Sequence, residues 1–186
     1  MSTELHTKRL YLRELTPDDA EMFCEFLLKN KDHFEDSGPA YNDEYLDVKF
    51  HRKQLERSAV ESADGRHYKF GIFRKEKNST IIGTVALSNI MMGNFCSCFL
   101  GYRIDKDECS KGFATEALEQ VISFAFGTLN LHRIEANIIP GNIASICVAE
   151  KLGFVYEGAS EKYLLLNGQW QKHLHYALIN YNWERD

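Results

Sequence analysis

The first stretch that offers chemistry runs from a strand end into a helix start. Leu100-Gly101-Tyr102-Arg103-Ile104 reads as the end of a strand, Asp105 to Lys111 as a polar loop, and Gly112-Phe113-Ala114-Thr115-Glu116-Ala117-Leu118 as a helix opening. Apolar residues then recur at Ala114, Ala117, Leu118, Val121, Ile122 and Ala125, a stripe at helical spacing that would face a sheet. The start of such a helix has unpaired backbone N–H groups and the positive end of the summed peptide dipoles. Gly112 permits close backbone approach and Lys111 adds charge, so the segment suits a phosphate. Three other phosphate or ion motifs fail on spacing. The dinucleotide fingerprint needs three glycines, and only Gly112 stands in the loop. No Gly-Lys-Ser/Thr triplet follows, which excludes a P-loop. Asp105-x-Asp107 with Glu116 imitates a calcium loop, but Cys109 and Ser110 stand where a ligand and the turn glycine belong.

A second helix entry lies downstream. Asn142-Ile143-Ala144-Ser145, then Glu150-Lys151-Leu152-Gly153-Phe154, reads as a helix capped by Asn142 and stopped at Gly153. The five cysteines (Cys24, Cys96, Cys98, Cys109, Cys147) are odd in number and scattered, which fits a reducing compartment better than a disulfide framework. Cys96 and Cys98 are expected on one strand face as core residues, with no second ligand pair at metal spacing, so no metal is expected. His173 and His175 share a strand face without a third ligand and read as structural. Tyr163 and Trp170, flanking the last turn, read chiefly as packing residues that could also border a groove.

The elements that must position these residues follow from periodicity. A first strand is expected over Lys8 to Leu15, on Leu10, Leu12 and Leu15. A helix starting at Thr16-Pro17-Asp18-Asp19 and running to about Asn30 comes next. A charged helix is expected from Asp43 to Ser62, with Tyr45, Leu46, Phe50 and Leu55 on its buried side. Strands over His67 to Arg74, Thr80 to Ile90 and Phe95 to Ile104, joined by turns at Glu76-Lys77-Asn78 and Met92-Gly93-Asn94, predict an antiparallel meander. A helix over Gly112 to Leu129, a strand over His132 to Ile139, a helix over Asn142 to Leu152 and strands over Phe154 to Leu166 and Gln169 to Asn180 complete the chain. Asn167-Gly168 marks the last hairpin. Strand, helix and strand from Phe95 to Ile139 form a crossover unit, so those two strands should be parallel. The expected fold class is mixed α/β, with about seven strands, one central parallel pair and about four helices in one domain spanning 1–186.

Bulk composition narrows the partners. The 186 residues suit one domain of ordinary size. Twenty-two Lys and Arg against 27 Asp and Glu give a net charge of −5 with no basic run, so direct nucleic-acid binding is not expected. Met1 to Arg9 lacks the apolar core of a secretory signal, and no apolar stretch approaches the roughly 20 residues that span a bilayer. A cytoplasmic location and no membrane partner are expected.

Taken together, the two helix entries and the strand between them resemble the GNAT acetyltransferase superfamily. The family motif Gln/Arg-x-x-Gly-x-Gly/Ala is similar to Cys109-Ser110-Lys111-Gly112-Phe113-Ala114. Thr7-Lys8-Arg9-Leu10 with Leu12-Arg13, the Gly112-to-Ala117 helix entry, Leu87-Ser88-Asn89, His132-Arg133-Ile134 and Tyr163-Leu164-Leu165 resemble the ribosomal-protein-alanine N-acetyltransferase (RimJ/RimL-like) branch. The resemblance covers nearly the whole chain. It departs at Cys109, where Gln or Arg is usual, and at Ser110, where Gly is frequent.

The resemblance implies direct transfer of acetyl from acetyl-CoA to a primary amine in a ternary complex, with acetyl-CoA as co-substrate. The acceptor implied is a protein N-terminus, with small free amines as the alternative; a catalytically weak acyl-CoA-binding module is the rival of another class. Tyr102, Arg103 and Ile104 would pair with the pantetheine arm, and Cys109, Lys111, Gly112, Phe113, Ala114 and Thr115 would surround the pyrophosphate. Asn142 would hold the pantetheine amide region. Ser145 would protonate or hydrogen-bond the departing thiolate, or is an ordinary first-turn residue. Glu135 would take the amine proton, or else binds substrate or faces solvent. A covalent step on Cys109 or Cys147 has no base fixed beside either by spacing. The tyrosine that many family members use as general acid would fall at Ala149. Monomer and homodimer remain open.

Overall fold

Alternation decides the sheet. Leu10 and Leu12 are fully buried while Tyr11 and Arg13 are half-buried, so one side of the strand meets one core and the other side a different layer. In the computed structural model, which describes residues 3–34, 45–76 and 80–184, this strand is β2 (Leu10–Glu14). It is preceded by β1 (Glu4–His6). The helices α1 (Ala20–Lys29), α2 (Lys31–Phe34) and α3 (Val48–Ala63) follow. The strands β3 (Tyr68–Arg74), β4 (Gly83–Met91) and β5 (Ser97–Ile104) come next. Helix α4 (Phe113–Gly127), strand β6 (Arg133–Ile138) and helix α5 (Ile143–Lys151) form the crossover and its exit. The hairpin β7 (Val155–Leu166) and β8 (Gln169–Ile179) ends the fold.

The strands form one sheet in the order β1-β2-β3-β4-β5-β6-β8-β7. Only β5 and β6 run parallel; every other neighbouring pair is antiparallel. The sheet has eight strands rather than about seven, because the short N-terminal segment pairs with β2 (Leu5↔Leu12). Three residues are too few to carry a periodic signal. The fifth helix, α2, is a single turn and was beyond a periodicity argument for the same reason.

Each face has its own helical layer. Leu100, Ile104, Ile134, Ala136 and Ile138 pack with Leu118 and Val121 of α4 and Ala149 of α5. Phe73 and Leu15 pack on the opposite face with Phe23, Phe26 and Leu27 of α1 and Leu55 of α3. At the start of α1, Thr16 and Asp19 form a capping box, although the first turn, Pro17–Asp19, is 3-10. Asp19 also takes both Arg13 guanidinium nitrogens at 2.7 Å.

Some boundaries differ from expectation. Helix α3 begins at Val48, capped by Asp47, so Tyr45 and Leu46 precede it rather than lie on its buried side. Asp47 accepts from Lys49 N–H and ends the possibility of an earlier start. Asp43, and Lys77 and Asn78 of the expected turn, lie outside the described residues. Cys96 is buried as expected but stands before β5 with φ of 42°, so only Cys98 lies on the strand. Burial pushes the Cys98 thiol up to about 12. Among the described residues no helix is long and apolar enough to cross a membrane, and no group of three His, Cys, Asp or Glu side chains is placed to hold a metal.

Candidate functional site

The parallel pair is short. Strands β5 and β6 are in register only at Ser97↔Arg133, Cys98↔Ile134 and Phe99↔Glu135. Beyond Phe99, β5 stays paired with β4 as far as Ile104↔Gly83, and β6 stays paired with β8 as far as Ile138↔Leu174. The two strands therefore splay, and the β5 main chain from Leu100 onward loses its partner on one edge. Backbone N–H and C=O groups left open in this way need another partner. The cleft between them is walled by Gly101 and Tyr102 on one side and Asn137 and Ile138 on the other, with Ser145 of α5 below. A second hollow shares Tyr102, Asn142 and Ser145 and continues to Cys109, Gly112 and Thr115.

The loop between β5 and α4 is held from below and from the side. Asp105 is buried and accepts from Lys29 at 2.8 and 3.0 Å and from Asp107 N–H at 2.9 Å. Burial acts to raise the Asp105 carboxyl, but the bonds from Lys29, Asp107 and Asn30 outweigh it and hold it below its usual range. Ser110 and Gly112 adopt φ of 60° and 76°, which turn the chain into α4. The first intrahelical bond runs from Glu116 N–H to Gly112 O at 3.1 Å, so Phe113, Ala114 and Thr115 make no main-chain donation within the described residues. These are the open donors of a helix start.

Arg9 clamps this entry. Its Nε donates to Glu116 Oε2 at 2.6 Å, its Nη1 to Lys111 O at 3.0 Å, and its guanidinium lies 4.4 Å above the Phe113 ring. Thr7 Oγ1 and Arg9 N–H both donate to Glu116 Oε1, at 2.6 and 2.7 Å. Burial would raise the Glu116 carboxyl; the bonds from Thr7 and Arg9 prevail and lower it. Thus Thr7 and Arg9, met in the sequence only as marks of resemblance, order the loop physically.

The expected site residues divide by what their side chains do. Phe113 and Ile104 border the hollow and are buried in the α4 core. The Lys111 ammonium is taken by Glu108 Oε2 at 3.0 Å and by the Asp107 carbonyl. Cys109 Sγ lies 3.4 Å from Asp105 O and 3.6 Å from His33 Nε2, and burial raises its thiol, which keeps it protonated and a poor nucleophile. Asn142 caps α5 by accepting from Ser145 N–H at 3.1 Å. Ser145 Oγ accepts from the Tyr102 hydroxyl at 3.2 Å. Burial pushes the Tyr102 phenol up, so it is a donor at neutral pH. The sequence reading missed this phenol, although strand alternation turns Tyr102 to the same side as Leu100 and Ile104.

Two of the expected site residues, Glu135 and Arg103, lie on the other face. Arg133, Glu135 and Asn137 alternate with buried Ile134, Ala136 and Ile138, and so face away from α4 and α5. Glu135 is bound to Arg133 Nε at 2.9 Å and lines neither hollow; Arg133 in turn holds Glu157. Arg103 also points to this face, its guanidinium 5.4 Å from the Phe34 ring and 3.4 Å from the Tyr45 hydroxyl. Of the histidines read as structural, His173 borders the cleft. It is buried, which pushes its imidazole down.

A splayed parallel pair with an open strand edge thus runs into a hollow at a helix start. Residues 9–155 match the family model described as the acetyltransferase (GNAT) domain, and the chain belongs to this family of N-acetyltransferases. The chain is 31% identical to the [ribosomal protein uS5]-alanine N-acetyltransferase of Escherichia coli, over 96% of this chain and 92% of that protein. A solved structure of ribosomal-protein-S5-alanine acetyltransferase from Vibrio fischeri superposes with a TM-score of 0.91 at 29% identity, covering 98% of this chain and 100% of that one. RimJ of Mycobacterium smegmatis, solved in complex with CoA-disulfide, has a TM-score of 0.87 at 26% identity and covers 100% of this chain and 90% of its own.

Proposed function

We propose that the chain transfers acetyl from acetyl-CoA to the α-amine of a protein N-terminus, with ribosomal proteins as the acceptor class. The observation that carries this reading is the unpartnered edge of β5 from Leu100 to Ile104, ending at the open N–H groups of Phe113, Ala114 and Thr115. The pantetheine arm, an extended chain with two amides, would complete the β5 edge as a strand does. The pyrophosphate would lie on the α4 start around Gly112, bound by main-chain donors and the helix dipole, so Cys109 in place of Gln or Arg costs little. The Asn142 amide, with its oxygen engaged in the α5 cap, would offer its NH2 to the arm.

In the transfer the neutral amine attacks the thioester carbonyl. A C–N bond forms, the C–S bond breaks, and the thiolate leaves. Tyr102 and Ser145, hydrogen-bonded to each other at 3.2 Å beside the cleft, would deliver the proton to that sulfur. Glu135, fixed by Arg133 on the opposite face, would take the amine proton through solvent in the splay. The similarity to the uS5-alanine enzymes supports the acceptor class, which implies a cytoplasmic setting. The test is thiol release from acetyl-CoA with N-terminal peptides of ribosomal proteins, the acetyl group being located by mass spectrometry. An acetylated α-amine is the expected product. Acetylation confined to small free amines would replace the acceptor class, and binding of acetyl-CoA without turnover would replace the reaction.

A further inference from the structure

Arg103 stands apart from the other arginines. Every other arginine among the described residues forms an ion pair with a carboxylate. Among the described residues Arg103 forms none, and neither does Lys69 of β3, although acidic residues outnumber basic ones in the chain. The two cations rise from the same face. Lys69 is in register with Ala86 and Arg103 with Thr84, and Ala86 and Thr84 lie two apart on β4. The Lys69 ammonium lies 3.9 Å from the Phe23 ring centre, a partner that holds a cation without neutralising it. Burial, together with the Arg103 guanidinium, pushes Lys69 down to about 8. His51, buried between Phe23 and Tyr45, is pushed down chiefly by burial and further by the same two cations, which favours its neutral form.

The space above Gly101, between the rows that carry these cations, is open among the described residues. Gly101, also in register with Ala86, has nothing within 4 Å of where a Cβ would stand, and it borders the cleft together with Arg103. Two cations on one face without a carboxylate partner among the described residues, one of them lining the splay, form a site for an anion. A guanidinium matches a carboxylate through two parallel N–H donors, and an ammonium supplies a third. A polyamine, in contrast, would be repelled.

We propose that the acceptor carries a carboxylate close to its reactive amine, held between Arg103 and Lys69 above Gly101. This rests on the acyl-transfer reading above, with the acceptor entering from the α1 and α3 face. The carboxylate has two sources: an acidic side chain within the first residues of a peptide, or the α-carboxylate of a free amino acid. The test compares kcat/KM at matched free-amine concentration for three pairs. They are Ala-Glu-Gly-Gly against Ala-Gln-Gly-Gly, Ala-Gly-Glu-Gly against Ala-Gly-Gln-Gly (all C-terminally amidated), and alanine against alaninamide. In at least one pair the acid member is expected to exceed its partner by about tenfold or more, the scale of one charge-assisted hydrogen bond. A peptide pair would name the side chain as source, and the alanine pair the α-carboxylate. Arg103→Gln should bring that acid member down to its partner. Equal kcat/KM within all three pairs overturns this inference alone. Transfer to none of the six, nor to ribosomal N-terminal peptides, overturns the acyl-transfer reading with it.

Discussion

The two faces of the splay are built in opposite ways. On the α4 and α5 face, side chains satisfy one another: Arg9 with Glu116, Lys111 with Glu108, Asn142 with Ser145 N–H. What is left over there is main chain, the β5 edge and the first N–H groups of α4. On the α1 and α3 face the main chain is paired and the leftovers are side chains, Arg103 and Lys69. A carrier common to a whole family is well served by backbone donors, which do not change with sequence. An acceptor that differs from enzyme to enzyme is better met by side chains. Satisfied polar groups on the first face and unsatisfied charges on the second mark that division.

The largest effect should come from the carrier face. Gly112→Val forces a β-branched residue into φ of 76° and crowds the α4 entry. A left-handed conformation costs about 1–2 kcal/mol for such a residue, and we expect the acetyl-CoA KM to rise about tenfold or more. An unchanged KM would remove the phosphate from that entry. Next, Tyr102→Phe and Ser145→Ala should each lower kcat about tenfold or more with little change in KM, as loss of a proton donor does. A wild-type kcat in both would release the pair from the thiolate.

Glu116→Gln should lower unfolding stability by about 1–3 kcal/mol, because Arg9 and Thr7 lose a charged acceptor. The corresponding pH effect has a definite sign. The folded Glu116 carboxyl lies below its unfolded value near 4.5, so its contribution is complete above that pH and is lost as pH falls through the folded value. Wild type should therefore lose more stability than Glu116→Gln on acidification, by calorimetry. Equal losses would show that the clamp is not electrostatic. The smallest effect is expected on the acceptor face. Lys69 sheds its proton near 8 in a setting of Arg103, His51 and the Phe23 ring, so the preference for acid-bearing acceptors should shrink between about pH 7 and 9 without vanishing, because the Arg103 guanidinium donors remain. A flat preference would assign the anion to Arg103 alone.

The same contrast governs what the sequence revealed. The α4 and α5 face was legible as structure because it is local: the helix entry at Gly112, the stripe from Ala114 to Ala125 and the Asn142 cap fall within single windows, and the order of elements from β5 to β8 followed from them. Tyr102 was recognised for its main chain, while its hydroxyl meets Ser145 across 43 residues of sequence. Arg103 was likewise read as part of a strand edge, yet its side chain meets Phe34 and Tyr45 on the other face. Lys69 gave no signal, since a lysine in a strand ordinarily faces water. β1 and α2 were too short for periodicity, and the clamp of Arg9 on Glu116 joins residues 107 apart.

The most direct test is a crystal structure with a bisubstrate analogue, CoA joined through an acetyl bridge to the α-amine of an alanine peptide. The account predicts the pantetheine along β5 from Leu100 to Ile104, the pyrophosphate at the Gly112 turn, and the peptide emerging on the other face beside Arg103 and Lys69. A CoA arm elsewhere, or a peptide leaving on the α4 and α5 face, would contradict it.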